Sequence, residues 1–190
     1  MKLVHVTTRS QWRQWLARHQ DQEPSGIWLV FHKNTTGKPT LKYEEAVEEA
    51  LCYGWIDGQK KGYDDKYWLQ KFTPRGPKSI WSRINTEKAE RLIASGEMQP
   101  AGLKAIEAAR SDGRWQAAYA SQKNISIPDD LQAALDKNGK AKAFFFTLKS
   151  AERYSILFRI QTAKRPETRA RRIQQFIEML ERNEKNHTLI

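Results

Sequence analysis

The chain has 190 residues, a formal net charge of +11 and one cysteine. Seven Trp, six Tyr and seven Phe are too many aromatics for a disordered chain, and the length suffices for one good-sized core or a small α/β unit with a helical extension. No window approaches the ~20 apolar residues that span a bilayer, and one cysteine excludes an internal disulfide.

The opening run MKLVHVTTRSQW turns polar too soon for the apolar core of a signal peptide, so a cytoplasmic location is expected. Lys2 to Val6 alternates as a short strand. Thr7-Thr8 offers a helix cap before a run with Trp12, Trp15, Leu16 and His19 on one face. Pro24-Ser25-Gly26 breaks it. Ile27 to His32 is short, β-branched and aromatic, a buried strand, and Asn34 to Pro39 is a loop. A helix from about Tyr43 to Tyr53 turns Ala46, Val47, Ala50 and Leu51 inward and Glu44, Glu45, Glu48 and Glu49 outward. Cys52 falls in this apolar pattern and reads as a buried, inert thiol. Trp55–Lys61 and Lys66–Phe72 then flank Gly62 to Asp65 as a hairpin.

Helices follow. One runs from Thr86 to Ser95 and stops at Gly96; another starts at Pro100 and reaches about Arg110. Pro128 opens a third, closed by Asn138-Gly139, and Ala141 to Leu148 forms a fourth. Ser150 is placed to cap a helix to Ala163 with Tyr154, Leu157 and Ile160 inward. Pro166 starts the last, with Ile173, Phe176, Ile177 and Leu180 at a 3.6-residue period. This order predicts an α+β fold: a small mixed or antiparallel sheet with helices in the N-terminal part, then a helical C-terminal part. The expected division is a body over 1–115, a connecting loop over 116–127, and a helical region over 128–190 packed on that body.

Charge is uneven. Residues 137–190 hold 13 Lys/Arg against 5 Asp/Glu, which suits RNA, DNA, acidic lipid, an anionic small molecule or a peptide as partner, or simply a solvated helix face. Within the stretch, Arg165, Arg169 and Arg172 share a helix face by i, i+3 and i, i+4 spacing. They form a candidate anion clamp, or else pair with carboxylates such as those of Glu44 to Glu49.

Other motifs fail on spacing. Asn34 to Lys38 has His32 where a phosphate loop needs Gly, and Pro39 where it needs Ser or Thr. The four His (His5, His19, His32, His187) include no i, i+3 or i, i+4 pair, so no metal site is expected. The two helices over 86–110 read as a helical hairpin, because the second lacks basic residues at the N-terminal end that enters a DNA groove.

Three Gly/Pro-punctuated turns stand out because each sets aromatics beside Asp, Arg, Ser or Asn, the way scaffolds present binding groups. They nominate Trp55, Asp57, Arg75, Trp81, Ser82, Arg83 and Asn85 as a ligand-binding surface. The indoles would give stacking, the Arg forks would hold carboxylate or phosphate, and Asp57 would orient an Arg. Equally, Trp55 and Trp81 serve as core anchors and Asp57, Ser82 and Asn85 as caps or turn formers. Asp57 with Ser82 or a Tyr also leaves open a small-substrate enzyme, provided the two lie within ~3 Å, or one water apart, in a concave pocket.

The segments LCYGWIDG (51–58), TPR (73–75), IWSRIN (80–85), SGEMQPAGL (95–103), DGRW with AY (112–115, 118–119) and AKRPETRARRI (163–173) together resemble the bacterial YdeI/OmpD-associated, or bacteriocin-protection, family. The resemblance runs from Trp15 to about Leu180. It implies a role in protection against bacteriocins or antimicrobial peptides and association with an outer-membrane porin. It carries over no catalytic residue and no cofactor. The expected function is therefore a binding or stress-protection factor without a cofactor. The alternatives are nucleic-acid association through the basic C-terminal helices, or an enzyme centred on Asp57.

Overall fold

The computed structural model describes residues 1–33, 37 and 40–185. The elements are β1 (Leu3–His5), α1 (Arg9–His19), β2 (Ile27–His32), α2 (Tyr43–Cys52), β3 (Trp55–Gly62), β4 (Tyr67–Pro74), α3 (Arg83–Ala94), α4 (Pro100–Ser111), α5 (Asp129–Asp136), α6 (Gly139–Thr147), α7 (Ser150–Gln161) and α8 (Pro166–Glu181). The fold is α+β. Apart from Gly37, the loop and rejected phosphate motif expected at 34–39 lie outside the described residues up to Thr40, as does His187. Among the described residues no helix is long and apolar enough to cross a membrane. The chain divides into two compact units, Met1–Ala118 and Tyr119–Ile190.

In the first unit the strands form one mixed sheet in the order β1-β2-β4-β3. β1 runs parallel to β2, and the other pairs are antiparallel. Period-two alternation sends Ile27, Leu29 and Phe31 of β2, Phe72 of β4 and Trp55 of β3 into one core cluster. Trp12 and Leu16 of α1 and Ala46, Val47 and Ala50 of α2 join them there. Each large side chain so buried stabilises the fold by about 1.5–3 kcal/mol. The Trp12 indole N–H donates to the Ala46 carbonyl at 3.1 Å, so the buried ring keeps its polar atom satisfied while pinning α1 to α2.

Glu49, expected to face outward, is instead buried at 1% exposure. Arg9 Nε reaches its Oε1 at 2.6 Å and Arg13 Nη1 its Oε2 at 2.9 Å. Arg9 Nη2 also meets Glu97 at 2.8 Å. A lone buried carboxylate would be costly, and the paired guanidiniums from α1 make the position tolerable.

Two glycines let α4 cross the end of α2. A Cβ on Gly102 would lie 2.4 Å from the Cys52 carbonyl oxygen and 2.7 Å from that of Leu51. Gly54 turns the chain at φ +72, and its ideal Cβ would meet the Ala101 oxygen at 2.8 Å. The approach is sealed by Gln99 N–H donating to Cys52 O at 3.2 Å. α3 and α4 both pack on α2, and Arg110 Nη2 of α4 pairs with Glu90 Oε1 of α3 at 2.6 Å.

The helix starts differ from expectation where a side chain closer to the turn captures the free N–H groups. Ser82 Oγ accepts from Asn85 N at 3.2 Å, beginning α3 before Thr86. Asn138 Oδ1 accepts from Ala141 N at 3.1 Å and so caps α6 as well as following α5. Ser150 is the first residue of α7 rather than its cap. The preceding Lys149 N–H donates to Glu152 Oε2 at 2.7 Å.

The second unit buries Leu131, Leu135, Ala141, Phe145, Ile156, Leu157 and Ile160 against the α8 stripe Ile173, Phe176, Ile177 and Leu180. α8 contacts α5, α6 and α7. Tyr154, expected in the inner stripe, is only half-buried, and Ile156 takes the inward place.

Candidate functional site

The residues nominated from the three turns separate into distinct surroundings. Trp55 and Trp81 are each 1% exposed and belong to the core cluster. Arg75 follows β4, where its backbone N–H donates to Gly54 O at 2.9 Å. Its guanidinium lies 3.5 Å from the Trp81 ring centre, and Nη1 donates to Ile80 O at 3.2 Å. Trp81 packs in turn on Trp115 at 4.8 Å, and Arg110 covers Trp115 at 5.0 Å. Arg114 is nearly buried. Its Nε bridges both Asp112 oxygens at 2.9 and 2.7 Å, and Nη1 donates to Ser79 O at 2.9 Å. The TPR, IWSRIN and DGRW segments thus meet in one Arg–Trp corner. Ser82 caps α3, Asn85 is half-buried one turn in, and Arg83 is exposed.

Asp57 stands elsewhere, on β3, where its Oδ2 accepts from the Tyr43 hydroxyl at 2.5 Å. Tyr43 lines a cleft of about 220 Å³ with Phe31, His32, Leu41, Lys42 and Trp68. Trp68 stacks on Phe31 at 4.4 Å, and Lys60 lies 4.3 Å over it. His32 Nδ1 is buried there with no hydrogen-bond partner among the described residues. The sequence left the tyrosine partner of Asp57 unspecified, and the structure supplies Tyr43; Asp57 itself is not among the residues lining the cleft. Ser82 sits at the α3 cap and is not among the residues lining this cleft.

In the C-terminal cluster, Arg169 forms a bidentate pair with Asp130 at 2.5 and 2.8 Å and donates from Nη1 to Ile160 O at 2.9 Å. Arg172 Nη1 donates to the Arg159 carbonyl. Arg165 is the exposed N-cap of α8. The Asp130 carboxyl is held below its ordinary range by the Arg169 hydrogen bond. The acidic face of α2 is engaged inside its own unit, Glu49 by Arg9 and Arg13 and Glu48 by Arg9 and Arg91.

A second cleft, about 190 Å³, lies within the second unit. Ile125, Ile127, Phe145 and Leu157 are its apolar lining, and Gln122, Ser150, Arg153 and Tyr154 its polar one. Gln122 Nε2 donates to Ser150 Oγ at 3.1 Å, which leaves the Ser150 hydroxyl proton to donate onward. Among the described residues the Tyr154 O–H has only a 3.5 Å hydrogen-bond contact, with Ala120 O. Burial pushes the Tyr154 hydroxyl up from its ordinary value, so it stays protonated. The half-buried Arg153 guanidinium has no hydrogen bond or ion pair among the described residues. Sequence reasoning missed Arg153. The available signal was the spacing of Ser150, Arg153, Tyr154 and Leu157, which puts all four on one helix face.

Among the described residues, no three His, Cys, Asp or Glu side chains group as a metal site requires. The chain is thus an α+β protein of two units, each with its own cleft. Residues 4–105 match the family model described as Domain of unknown function (DUF8412), and residues 124–183 match the one described as Bacteriocin-protection, YdeI or OmpD-Associated. The first match spans more than half of the chain, which therefore belongs to that family and carries a bacteriocin-protection, YdeI/OmpD-associated domain behind it. No curated protein and no solved structure matches the chain.

Proposed function

We propose that this protein is a cytoplasmic binding factor with a bacteriocin-protection-like role, and that its C-terminal cleft holds an amphipathic carboxylate. A peptide C-terminus with an apolar last residue has that chemistry. The observation that carries the reading is Arg153, a guanidinium without a partner among the described residues, at an apolar cleft beside the Ser150 and Tyr154 hydroxyls. Arg presents a planar fork to a carboxylate, and hydroxyl donors add hydrogen bonds that water would otherwise supply. The matched family segment contains seven of the eight lining residues, all but Gln122. In this reading Trp55, Arg75, Trp81, Ser82 and Asn85 hold the body together, and Arg169 and Arg172 brace α8.

Titration calorimetry with octanoate tests it. One saturable site is expected, with affinity at least about tenfold weaker in Arg153→Gln, the scale of losing a charge-assisted hydrogen bond of ~1.5–3 kcal/mol. Octanol should not compete. Octanoate binding that is unchanged in Arg153→Gln removes the proposal.

A second reading rests on the 2.5 Å Tyr43–Asp57 hydrogen bond beside the first unit's cleft. Such a pair is suited to moving a proton at a bound small substrate. Hydrolysis of a p-nitrophenyl ester that is lost in both Tyr43→Phe and Asp57→Asn supports it. Equal rates in all three proteins reject it.

A further inference from the structure

Pairing register divides the sheet of the first unit into two chemically unlike faces. Val4, Ile27, Leu29, Phe31, Phe72 and Trp55 point to the side covered by α1 and α2. The alternate residues form the other face: His5 on β1, Trp28 and Val30 on β2, Tyr67, Leu69 and Lys71 on β4, and Lys61 on β3. Val30 and Leu69 are buried yet lie outside the core cluster. Their cover includes long side chains from the same sheet. Lys61 is paired opposite Leu69, and its ammonium reaches the Trp28 ring at 4.3 Å, so its aliphatic stem crosses β4. Lys71, paired directly with Trp28, approaches the same ring at 6.0 Å. Next to them Tyr67 meets His32 at 4.7 Å and His5 at 6.5 Å.

Two things about this face select its partner. Trp28, Tyr67 and His32 are half-exposed and His5 is exposed, so ring surfaces remain open. The paired positions of this face carry lysines and no carboxylate. Stackable rings beside cations, on a sheet whose helices lie behind it, match unpaired bases joined by phosphates. We propose that this open sheet face binds single-stranded nucleic acid, with Trp28 stacking on a base and Lys61 and Lys71 pairing with the flanking phosphates. Lys61 and Lys71 would exchange a cation–π contact for phosphate oxygen, and the indole face they release would take the base. The site shares no residue with the C-terminal basic helices or with either cleft, apart from His32, which also lines the first.

Fluorescence anisotropy with a labelled oligothymidylate tests the proposal on the full chain. Binding should weaken with salt at a log–log slope of roughly −0.7 for each phosphate neutralised, hence about −1.4 for the two lysines. Lys61→Gln should reduce that slope by about 0.7. Trp28→Ala should weaken binding about tenfold or more, while Trp28→Phe, which keeps a ring, restores most of it. Lys61 is exposed, so its variant remains informative if Trp28→Ala perturbs folding. Three results overturn the proposal: no binding at low salt, binding unchanged in both Trp28→Ala and Lys61→Gln but lost in Lys164→Gln/Arg165→Gln, or equal affinity for the matching duplex.

Discussion

The guanidinium carbon of Arg75 lies 3.5 Å from the centre of the Trp81 ring, and Trp115 closes on the same indole from 4.8 Å. Arg75 also donates to Ile80 O, one residue before Trp81. The stacked cation therefore fixes the strand end to the segment that leads into α3.

That arrangement predicts a stability effect for a residue type more often associated with ligands. Arg75→Ala should lower unfolding stability by about 1–2 kcal/mol, the range for a partly desolvated cation–π pair. Trp81→Ala should cost about 3–5 kcal/mol, because it opens a cavity in the core. Urea unfolding measures both. An Arg75→Ala midpoint equal to that of the native chain would show that the stack contributes nothing and would return Arg75 to the pool of binding residues.

The contact of Gly102 with the end of α2 gives a sharper test. A Cβ there meets the backbone oxygens of Cys52 and Leu51 at 2.4 and 2.7 Å, and neither can rotate away as a side chain can. Gly102→Ala should therefore destabilise by about 1–3 kcal/mol or more through overpacking, despite the better helix propensity of Ala. Gly139, the first residue of α6, has no atom within 4 Å of an added Cβ, and Gly139→Ala should be neutral or slightly stabilising. Equal melting temperatures for the two variants would contradict the close approach.

These examples show what was legible in the sequence. The α8 stripe and β2 follow from local periodicity, which needs no knowledge of neighbours. Glu49 was misread as outward because its two partners, Arg9 and Arg13, stand 40 and 36 residues away in the chain. The Arg–Trp corner was visible as composition, yet the choice of Trp81 rather than Trp55 as the ring under Arg75 depends on how β4 ends. Arg153 looked like any surface arginine of an amphipathic helix. Only the tertiary placement of Phe145 and Ile127 makes its surroundings a cleft.

Cys52 offers a chemical probe of the same core. Burial pushes its thiol up to about 11 from 9.0, with Glu49 adding to the effect. The folded protein should therefore be inert to maleimide at pH 8 and react only on unfolding. The sign follows from linkage. A folded value above the unfolded one gives a contribution that is complete below about 9 and is lost as pH rises toward about 11. Cys52→Ala should flatten that part of the alkaline stability profile. Rapid labelling of the native protein at pH 8 would contradict the buried assignment.

The acid side is read from Asp130, whose carboxyl Arg169 holds below its ordinary value through a bidentate pair. A depressed folded value means the pair's contribution is present above the unfolded carboxylate range, near ~3.9, and disappears as pH falls through the folded value. The Asp130 side chain is 45% exposed, so solvent screening keeps the contribution small, about 0.2–1 kcal/mol. Arg169 also donates to Ile160 O at the end of α7, a bond that does not depend on Asp130 being charged. Asp130→Asn should therefore be slightly less stable than the native chain at pH 7 and approach it as pH falls below about 4, while Arg169→Gln should in addition weaken the α7–α8 junction at neutral pH. Thermal melts of the two variants at pH 7 and pH 3 separate these effects. If Arg169→Gln and Asp130→Asn were equally destabilised at pH 7, the guanidinium's hold on Ile160 would carry no stability of its own.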